Sequence, residues 1–477
     1  MWKKVLVFLV FCGFVALSAE TLPHNLTPEE REYLRSNHSS YLESKYSASR
    51  TRARAPEGIT YAPAEFDPAA AMIIAWEGYS TLQKQFVKFV AETDKVLVAC
   101  DGTSTINSAK STLTGYGVNM ANVEFLSTPL DSVWIRDYGP WWTYTQSGNR
   151  EVIDLDYNRP RPNDDKFPEN FAKARNLTNH KCGLILAGGN LILDGHGVAI
   201  MTTIVFDASE GGDPDLSVAE LEKYMKDYFG VKKVILLKPM NNDGTGHVDM
   251  YCKLLTEDTF IVGEYKDAQS GATGNYQILN ENAAKLAGET NGLGKPFKVV
   301  RIPMPTGSSS WSYTTYSYTN SLIFNKKVLV PVYGFDDEEQ ALSIYREILP
   351  GYDVMGFDCN SIITANGAIH CITKLEMKDP LDLKHDAVDR TRAGEETEIR
   401  FAVDSVRGIN PEGTRIYWSQ QRTGPFHQVA VKNENGVFSG LIPPQAAGTV
   451  YYYLETENVE GMYETLPEQA PEQDVFT

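Results

Sequence analysis

Three stretches of this chain carry side chains that could do chemistry together. The first is Trp134-Ile135-Arg136-Asp137-Tyr138-Gly139-Pro140-Trp141-Trp142, a charged pair set among aromatics and closed by Gly-Pro. Burying such a pair costs stability unless something partners it. Asp137 is therefore either half of a structural Arg–Asp pair or a functional carboxylate. The second stretch is Gly244-Thr245-Gly246-His247-Val248-Asp249-Met250-Tyr251-Cys252-Lys253-Leu254. After Gly246 it reads as a strand, on which His247 and Asp249 share a face. An imidazole beside a carboxylate holds its proton more tightly, which suits a general acid near neutral pH. Metal ligation is the competing reading, but no third ligand follows at matching spacing. The third stretch is Asn366-Gly367-Ala368-Ile369-His370-Cys371-Ile372-Thr373. A cysteine after a glycine turn and ahead of a strand is placed to be an exposed nucleophile, or is a buried strand cysteine.

Residues 55–375 must position these groups, and they alternate short strands with helices. Apolar, β-branched runs fall at 72–76, 96–99, 152–155, 184–186, 198–201, 234–237, 260–262, 299–302 and 328–332. Five periodic apolar stripes predict helices at 80–92, 105–116, 217–229, 276–288 and 337–349. Ser217 and Glu220 form a capping box, and Gly230 stops that helix. Five helices flanked by strands suggest a repeated ββαβ unit. Residues 376–477 change character: short alternating strands at 398–403, 415–419, 428–431 and 449–454, separated by turn residues, suggest a small β-sandwich.

The N-terminal end reads as export machinery. Lys3 and Lys4 precede a 13-residue apolar run, Val5 to Leu17, and small residues follow. The run is too short to span a bilayer, so residues 1–19 are expected to be a cleaved signal peptide, and no later stretch is a membrane anchor. Residues 20–54 are polar, start a short helix at Pro28, and end in Ser49-Arg50-Thr51-Arg52-Ala53-Arg54. They read as a pro-segment with a protease-sensitive end. Cys12 leaves with the signal. Five cysteines remain, an odd number that leaves at least one thiol unpaired. Lys+Arg total 44 against Asp+Glu 62, a net charge of −18. With no segregated basic patch, nucleic acid is excluded as a partner, and cationic ligands suit the surface better.

The set WIRDYGP, GHVDMYCK and GAIHCIT, in that order, with Gly188-Gly189-Asn190 and Asp194-Gly195 between, resembles the agmatine deiminase-like branch of the guanidine-modifying (pentein) superfamily. The signal, the arginine-rich segment and the β-sandwich make it most similar to the porphyromonad-type bacterial peptidylarginine deiminases. The resemblance covers about residues 55–477. It implies an α/β fold, a five-bladed pseudo-symmetric α/β propeller over 55–375, followed by an all-β immunoglobulin-like sandwich over 376–477. It implies hydrolysis of a guanidinium to a ureido group with loss of ammonia. On this chain Cys371 would attack the guanidinium carbon and form a thiouronium. Asp137 and Asp249 would grip the nitrogens, and His247 would protonate the leaving ammonia and then activate water.

Elementary chemistry agrees with that assignment. A guanidinium is a delocalised cation and a poor electrophile. Two carboxylates can hold it in plane, fix its carbon in line with sulfur, and leave its charge to favour the thiolate that must attack. Arg159 and Arg161, after the strand at 152–155, match the pair that reads the α-carboxylate of a C-terminal arginine in peptide-modifying relatives. Otherwise they are solvated loop arginines. Trp134 would stack on the substrate's stem, and Asn320 is a further candidate contact. The small Gly244 and Thr245 ahead of His247 depart from the family and would loosen the pocket. No calcium loop of the EF-hand kind is present. The expectation is a secreted or cell-surface enzyme without cofactor or metal, independent of calcium, acting on arginine-containing peptides or proteins. An agmatine or free-arginine deiminase, and a silent secreted binding protein, are the alternatives.

Overall fold

The computed structural model describes residues 23–477 apart from 51–53, 146–148, 269–273, 306–313, 379–380, 389, 406–407, 460–462, 468–469 and 472–473. The signal expected at 1–19 lies outside the described residues, as does Arg52.

The buried apolar runs pair as parallel strands. Parallel neighbours cannot be joined by a tight turn and need a crossover, here a helix each time. Ala69–Ala75 and Lys95–Cys100 are linked by Ser80–Ala91, and Arg150–Asp156 and Asn179–Ile185 by Phe167–Arg175. Val198–Thr202 and Lys233–Leu237 are linked by Val218–Phe229, and Thr259–Glu264 and Lys298–Pro303 by Asn275–Ala287. Lys327–Val332 and Asp353–Asp358 are linked by Glu338–Ile348. Each pair carries one further, antiparallel strand on its other side: Lys374–Met377, Trp141–Thr145, Ile192–Leu193, Cys252–Leu254 and Leu322–Phe324 respectively. The same strand–strand–helix–strand pattern thus occurs five times among the described residues. The first copy is completed by residues from the far end, because Lys374–Met377 pairs with Ala69–Ala75.

Each helix turns one apolar stripe to its sheet. Leu82, Phe86, Val87 and Val90 are buried on the first, and Leu221, Met225, Tyr228 and Phe229 on the third. The Ser217–Glu220 capping box forms, and Gly230 closes the helix at a φ of 66°. All five expected helices are present, but one has a different place in the repeat. Gly102–Gly115 leads to an added fourth strand, Val123–Ser127. The second copy instead uses Phe167–Arg175, whose 9 residues are too few to show a clear period.

Residues beyond 380 form two four-stranded antiparallel sheets. Ile399, Phe401 and Phe438 of one and Ile416, Tyr452 and Leu454 of the other share a single apolar cluster. At the opposite end, Pro28–Arg50 is one kinked helix, longer than expected. Its Leu34, Tyr41 and Leu42 pack with Leu26 and Ile185. The five described cysteines, Cys100, Cys182, Cys252, Cys359 and Cys371, are all buried and unpaired.

Candidate active site

The site is built from short helical turns that each stand just ahead of one of the antiparallel strands. Asp137 lies on Ile135–Tyr138, ahead of Trp141–Thr145. His247 caps the turn Val248–Met250, which holds Asp249, ahead of Cys252–Leu254. Cys371 is central in His370–Ile372, ahead of Lys374–Met377. His247 and Asp249 are therefore not on a strand as the sequence suggested. A single tight turn, not a pleat, brings both side chains inward.

Gly188–Asn190 is a fourth such turn, ahead of Ile192–Leu193, and it locks the cluster together. The Gly189 amide donates to Asp137 Oδ1 at 2.9 Å. A Cβ on Gly189 would stand 2.7 Å from His247 Nδ1, 2.9 Å from Asp137 Oδ1 and 3.1 Å from Asp249 Oδ2. Three expected site residues thus surround one point that only a hydrogen atom fits. Cys371 Sγ lies 3.9 Å from Asp249 Oδ2. Asn320 stands against the sulfur itself, its Nδ2 donating to Sγ at 3.1 Å. All of these side chains are buried. Among the described residues neither ring nitrogen of His247, nor Asp249 Oδ1, has a hydrogen-bond partner. Unpaired buried groups are costly, and these are available to a polar ligand.

The electrostatics differ from expectation at His247. Burial pushes its imidazole down from 6.5 to about 4, and Asp137, with Oδ1 3.7 Å from Nδ1, opposes this without winning. The ring is therefore neutral near neutral pH, a proton acceptor first. Burial and then the Asp249 and Asp137 carboxylates push the Cys371 thiol well up. Burial would raise Asp137 too, but His24 and His247 hold it below the usual carboxylate range.

Arg159 and Arg161 are not solvated loop arginines: their relative exposures are 1% and 3%. Arg161 binds Glu30 through both ends of its fork, Nε to Oε1 at 2.8 Å and Nη2 to Oε2 at 3.2 Å. Arg159 donates from Nη1 to the Glu210 carbonyl at 2.6 Å and from Nε to the His24 carbonyl at 3.4 Å. Trp134 stacks on the His24 ring, with centroids 4.4 Å apart and planes 16° from parallel.

Sequence reasoning missed two groups. One is His24, whose Nε2 makes a short hydrogen bond to Asp137 Oδ2. Nothing local marks it, since it lies in the segment read as a pro-segment. The other is a charged cluster around Glu65. Its carboxylate meets His370 Nε2 at 2.6 Å, Arg136 Nη2 at 3.0 Å and Lys253 Nζ. His370, Arg136 and Lys253 all stand inside the three flagged stretches, so a signal was present. Glu65 gave none. His370 Nδ1 also meets Asp249 Oδ2 at 2.6 Å. Burial, with Arg136 and Lys253 nearby, works against charge on this ring. The two carboxylates at contact distance oppose that without reversing it, and the net direction is down. A cavity lined by Glu65, Arg136, Lys253, His370 and Asp249 touches neither Cys371, His247 nor Asp137. Among the described residues His24, Asp137 and His247 bring one ligand atom each within 4.8 Å of the others, the spacing a metal ion could share.

The mixed α/β fold and its family define a class, the deiminase-type hydrolases that act on amidine groups. The chain belongs to the Porphyromonas-type peptidyl-arginine deiminase family, whose model matches residues 61–376. A Vibrio parahaemolyticus protein named as a candidate agmatine deiminase is 25% identical over 355 residues, covering 66% of this chain and 96% of that protein. The solved agmatine deiminase of Enterococcus faecalis superposes with a TM-score of 0.60 at 21% identity, covering 69% of this chain and 100% of its own. A solved candidate arginine deiminase from Porphyromonas gingivalis gives a TM-score of 0.58 at 20% identity, over 66% and 98% of the two chains. At these identities the structural likenesses speak for the fold alone.

Proposed function

We propose that this chain is a secreted peptidylarginine deiminase that converts the C-terminal arginine of peptides or proteins to citrulline, releasing ammonia. The five repeats are read as a closed five-bladed propeller over 55–375, preceded by a signal at 1–19 and a pro-segment at 20–54. The C-terminal sheets are read as an immunoglobulin-like sandwich over 376–477. The observation that carries the substrate reading is the buried Arg159–Arg161 pair, with Arg161 forked onto a carboxylate beside the site. An α-carboxylate offers the same two oxygens.

In this reading Asp137 and Asp249 hold the two sides of the guanidinium. Its positive charge offsets the carboxylates that keep the Cys371 thiol protonated, so the sulfur becomes nucleophilic as substrate seats. Sγ bonds to the guanidinium carbon while its proton passes to neutral His247. The resulting imidazolium gives that proton to an amino group, the carbon–nitrogen bond breaks, and ammonia leaves. The neutral ring then takes a proton from water, whose oxygen attacks the thiouronium carbon. The carbon–sulfur bond breaks, the ring's proton returns to sulfur, and the added hydroxyl gives up its own proton, which the released ammonia takes up as ammonium, leaving the ureido product. Asn320, on Sγ, orients the nucleophile.

Agmatine is the second reading, favoured by the names of the relatives. Its amine would meet two guanidinium groups where a carboxylate would meet attraction. Mass spectrometry of incubated peptides tests the choice. A gain of about 1 Da, imine exchanged for oxygen, is expected on arginine at a C-terminus and not on internal arginine. Faster turnover of agmatine than of any peptide would replace the peptide reading.

A further inference from the structure

The segment from His24 to Glu30 sits on the groups that the proposed reaction needs. His24 is fully buried. Its ring lies on Trp134 and meets Asp137 through Nε2, while Nδ1 lies 2.8 Å from the carbonyl of Asn366. His24 is thus a flat, delocalised ring with a nitrogen facing an acceptor on each side, held by a carboxylate and an aromatic face. These are the features of a guanidinium. The same residue places its own carbonyl oxygen on Arg159, where a terminal residue would place a carboxylate oxygen. The chain runs on past His24, so a second residue supplies the missing negative charge: Glu30 takes Arg161. An imidazole ring has no amino group to lose, so attack by sulfur can release no ammonia from it.

The rest of the segment is fastened to the same face. The His24 amide donates to the Ala365 carbonyl at 2.8 Å, just before the nucleophile's loop. Gly367 leaves room for the ring, since a Cβ there would come 3.1 Å from His24 Nδ1 and 3.1 Å from Cys371 Cβ. Arg31 pairs with Glu210, and Lys45 with Asp165, both at 2.8 Å. Farther along, Arg54 carries a side chain that is 80% exposed, directly ahead of Ala55.

We propose that residues 23–50 are a built-in substrate mimic that keeps the enzyme latent, with His24 in the guanidinium seat and Glu30 on the carboxylate-reading arginine. Cleavage by a protease specific for basic residues at Arg54–Ala55 releases it. The inference rests on the deiminase reading above. While tethered, the segment acts at the millimolar effective concentration of a short linkage. Once cut, it is diluted away.

The whole exported chain is compared with its His24→Ala variant by two readouts. Iodoacetamide labelling of Cys371, located by peptide mapping, reports access to sulfur without turnover. Deimination of a C-terminal-arginine peptide reports activity. The intact chain is expected to be slow in both. His24→Ala, and the intact chain cut at Arg54, are expected to label faster and to gain about tenfold or more in kcat/KM, as when a seated competitor leaves only a tenth of the sites open. A synthetic peptide of residues 20–50 is expected to silence the cut chain competitively, and its His24→Ala version to fail. Should His24→Ala not fold, Glu30→Gln, which leaves the ring in place, gives the same comparison. Equal labelling and equal kcat/KM in intact and variant chains would overturn the proposal. So would a cut chain as slow as the intact one, or latency relieved by EDTA alone, which would point to a metal on His24, Asp137 and His247. Fast labelling of His24→Ala with no guanidine turned over would keep the mimic and sink the deiminase reading.

Discussion

His370 Nδ1 lies 2.6 Å from Asp249 Oδ2, and the residue making this bond is the neighbour of the proposed nucleophile. The turn that presents the sulfur therefore also fixes the carboxylate that would hold the substrate. Glu65 extends the coupling, because its partners His370 and Arg136 each immediately precede a proposed site residue, Cys371 and Asp137. One half-buried carboxylate thus ties together the turns bearing the nucleophile and both cation-binding groups.

Glu65→Gln is expected to lower kcat about 10- to 100-fold, as supporting residues do around other tightly positioned sites, with little change in KM. Leaving the buried Arg136 and Lys253 short of a counter-charge is expected to cost about 3–5 kcal/mol in urea unfolding. Glu65→Asp, which keeps the charge, is expected to recover part of both. A Glu65→Gln enzyme with unchanged kcat would remove the positioning role.

Gly189→Ala is expected to abolish turnover while the fold survives. The added methyl would stand 2.7 Å from His247 Nδ1 and 2.9 Å from Asp137 Oδ1, filling the seat itself. Overpacking of this size costs about 1–3 kcal/mol, which a melting curve resolves, whereas the loss of activity is expected to be complete in a citrulline assay.

Arg161→Ala, measured in the chain cut at Arg54, separates the substrates. It removes a forked, charge-assisted contact worth about 1.5–3 kcal/mol, so kcat/KM on a C-terminal-arginine peptide is expected to fall about 10- to 150-fold. Agmatine turnover, free of a repelling guanidinium, is expected to hold or rise. Parallel losses on both substrates would show that Arg161 serves the fold and not the choice of substrate.

His247 gives a pH signature in stability. Its folded value, about 4, lies below the ordinary 6.5 because the ring is buried. Between these values the unfolded chain binds the extra proton, so stability is full above about pH 6.5 and falls as pH drops toward 4. Taken over that window the loss is about 2–3 kcal/mol. His247→Gln is expected to flatten this part of the acid limb in urea titrations run from pH 7 to pH 4. An unchanged slope would place the titration on another group.

The helices with whole apolar stripes, such as Ser80–Ala91 and Val218–Phe229, were legible in the sequence, as were the β-branched strands buried on both faces. Of the antiparallel strands beside the site, the one after Cys371 was legible and the one after Gly246 was read as starting too early, at His247 instead of Cys252. Ile192–Leu193 was not, because its 2 residues are below the length at which alternation can be read. The identities of Asp137, His247, Asp249 and Cys371 were legible because their motifs are dense in reactive groups. Their local shape was not: a strand was read at His247 where a turn stands, and the proton affinity of that ring was read from one neighbour when burial dominates it. His24 and Glu65 were silent because their roles come from residues more than seventy positions away.

The pairing of Lys374–Met377 with Ala69–Ala75 has a temporal meaning. A chain emerging N-terminal end first holds an open sheet edge from residue 69 onward until residue 377 arrives to cover it. Contacts so distant in sequence form slowly, and an uncovered edge invites the wrong neighbour. The sulfur of Cys371 stands in the turn just ahead of the strand that finishes the job, so a half-made or clipped molecule would carry the carboxylates of the site without the means to attack, and reactivity would appear only with completion.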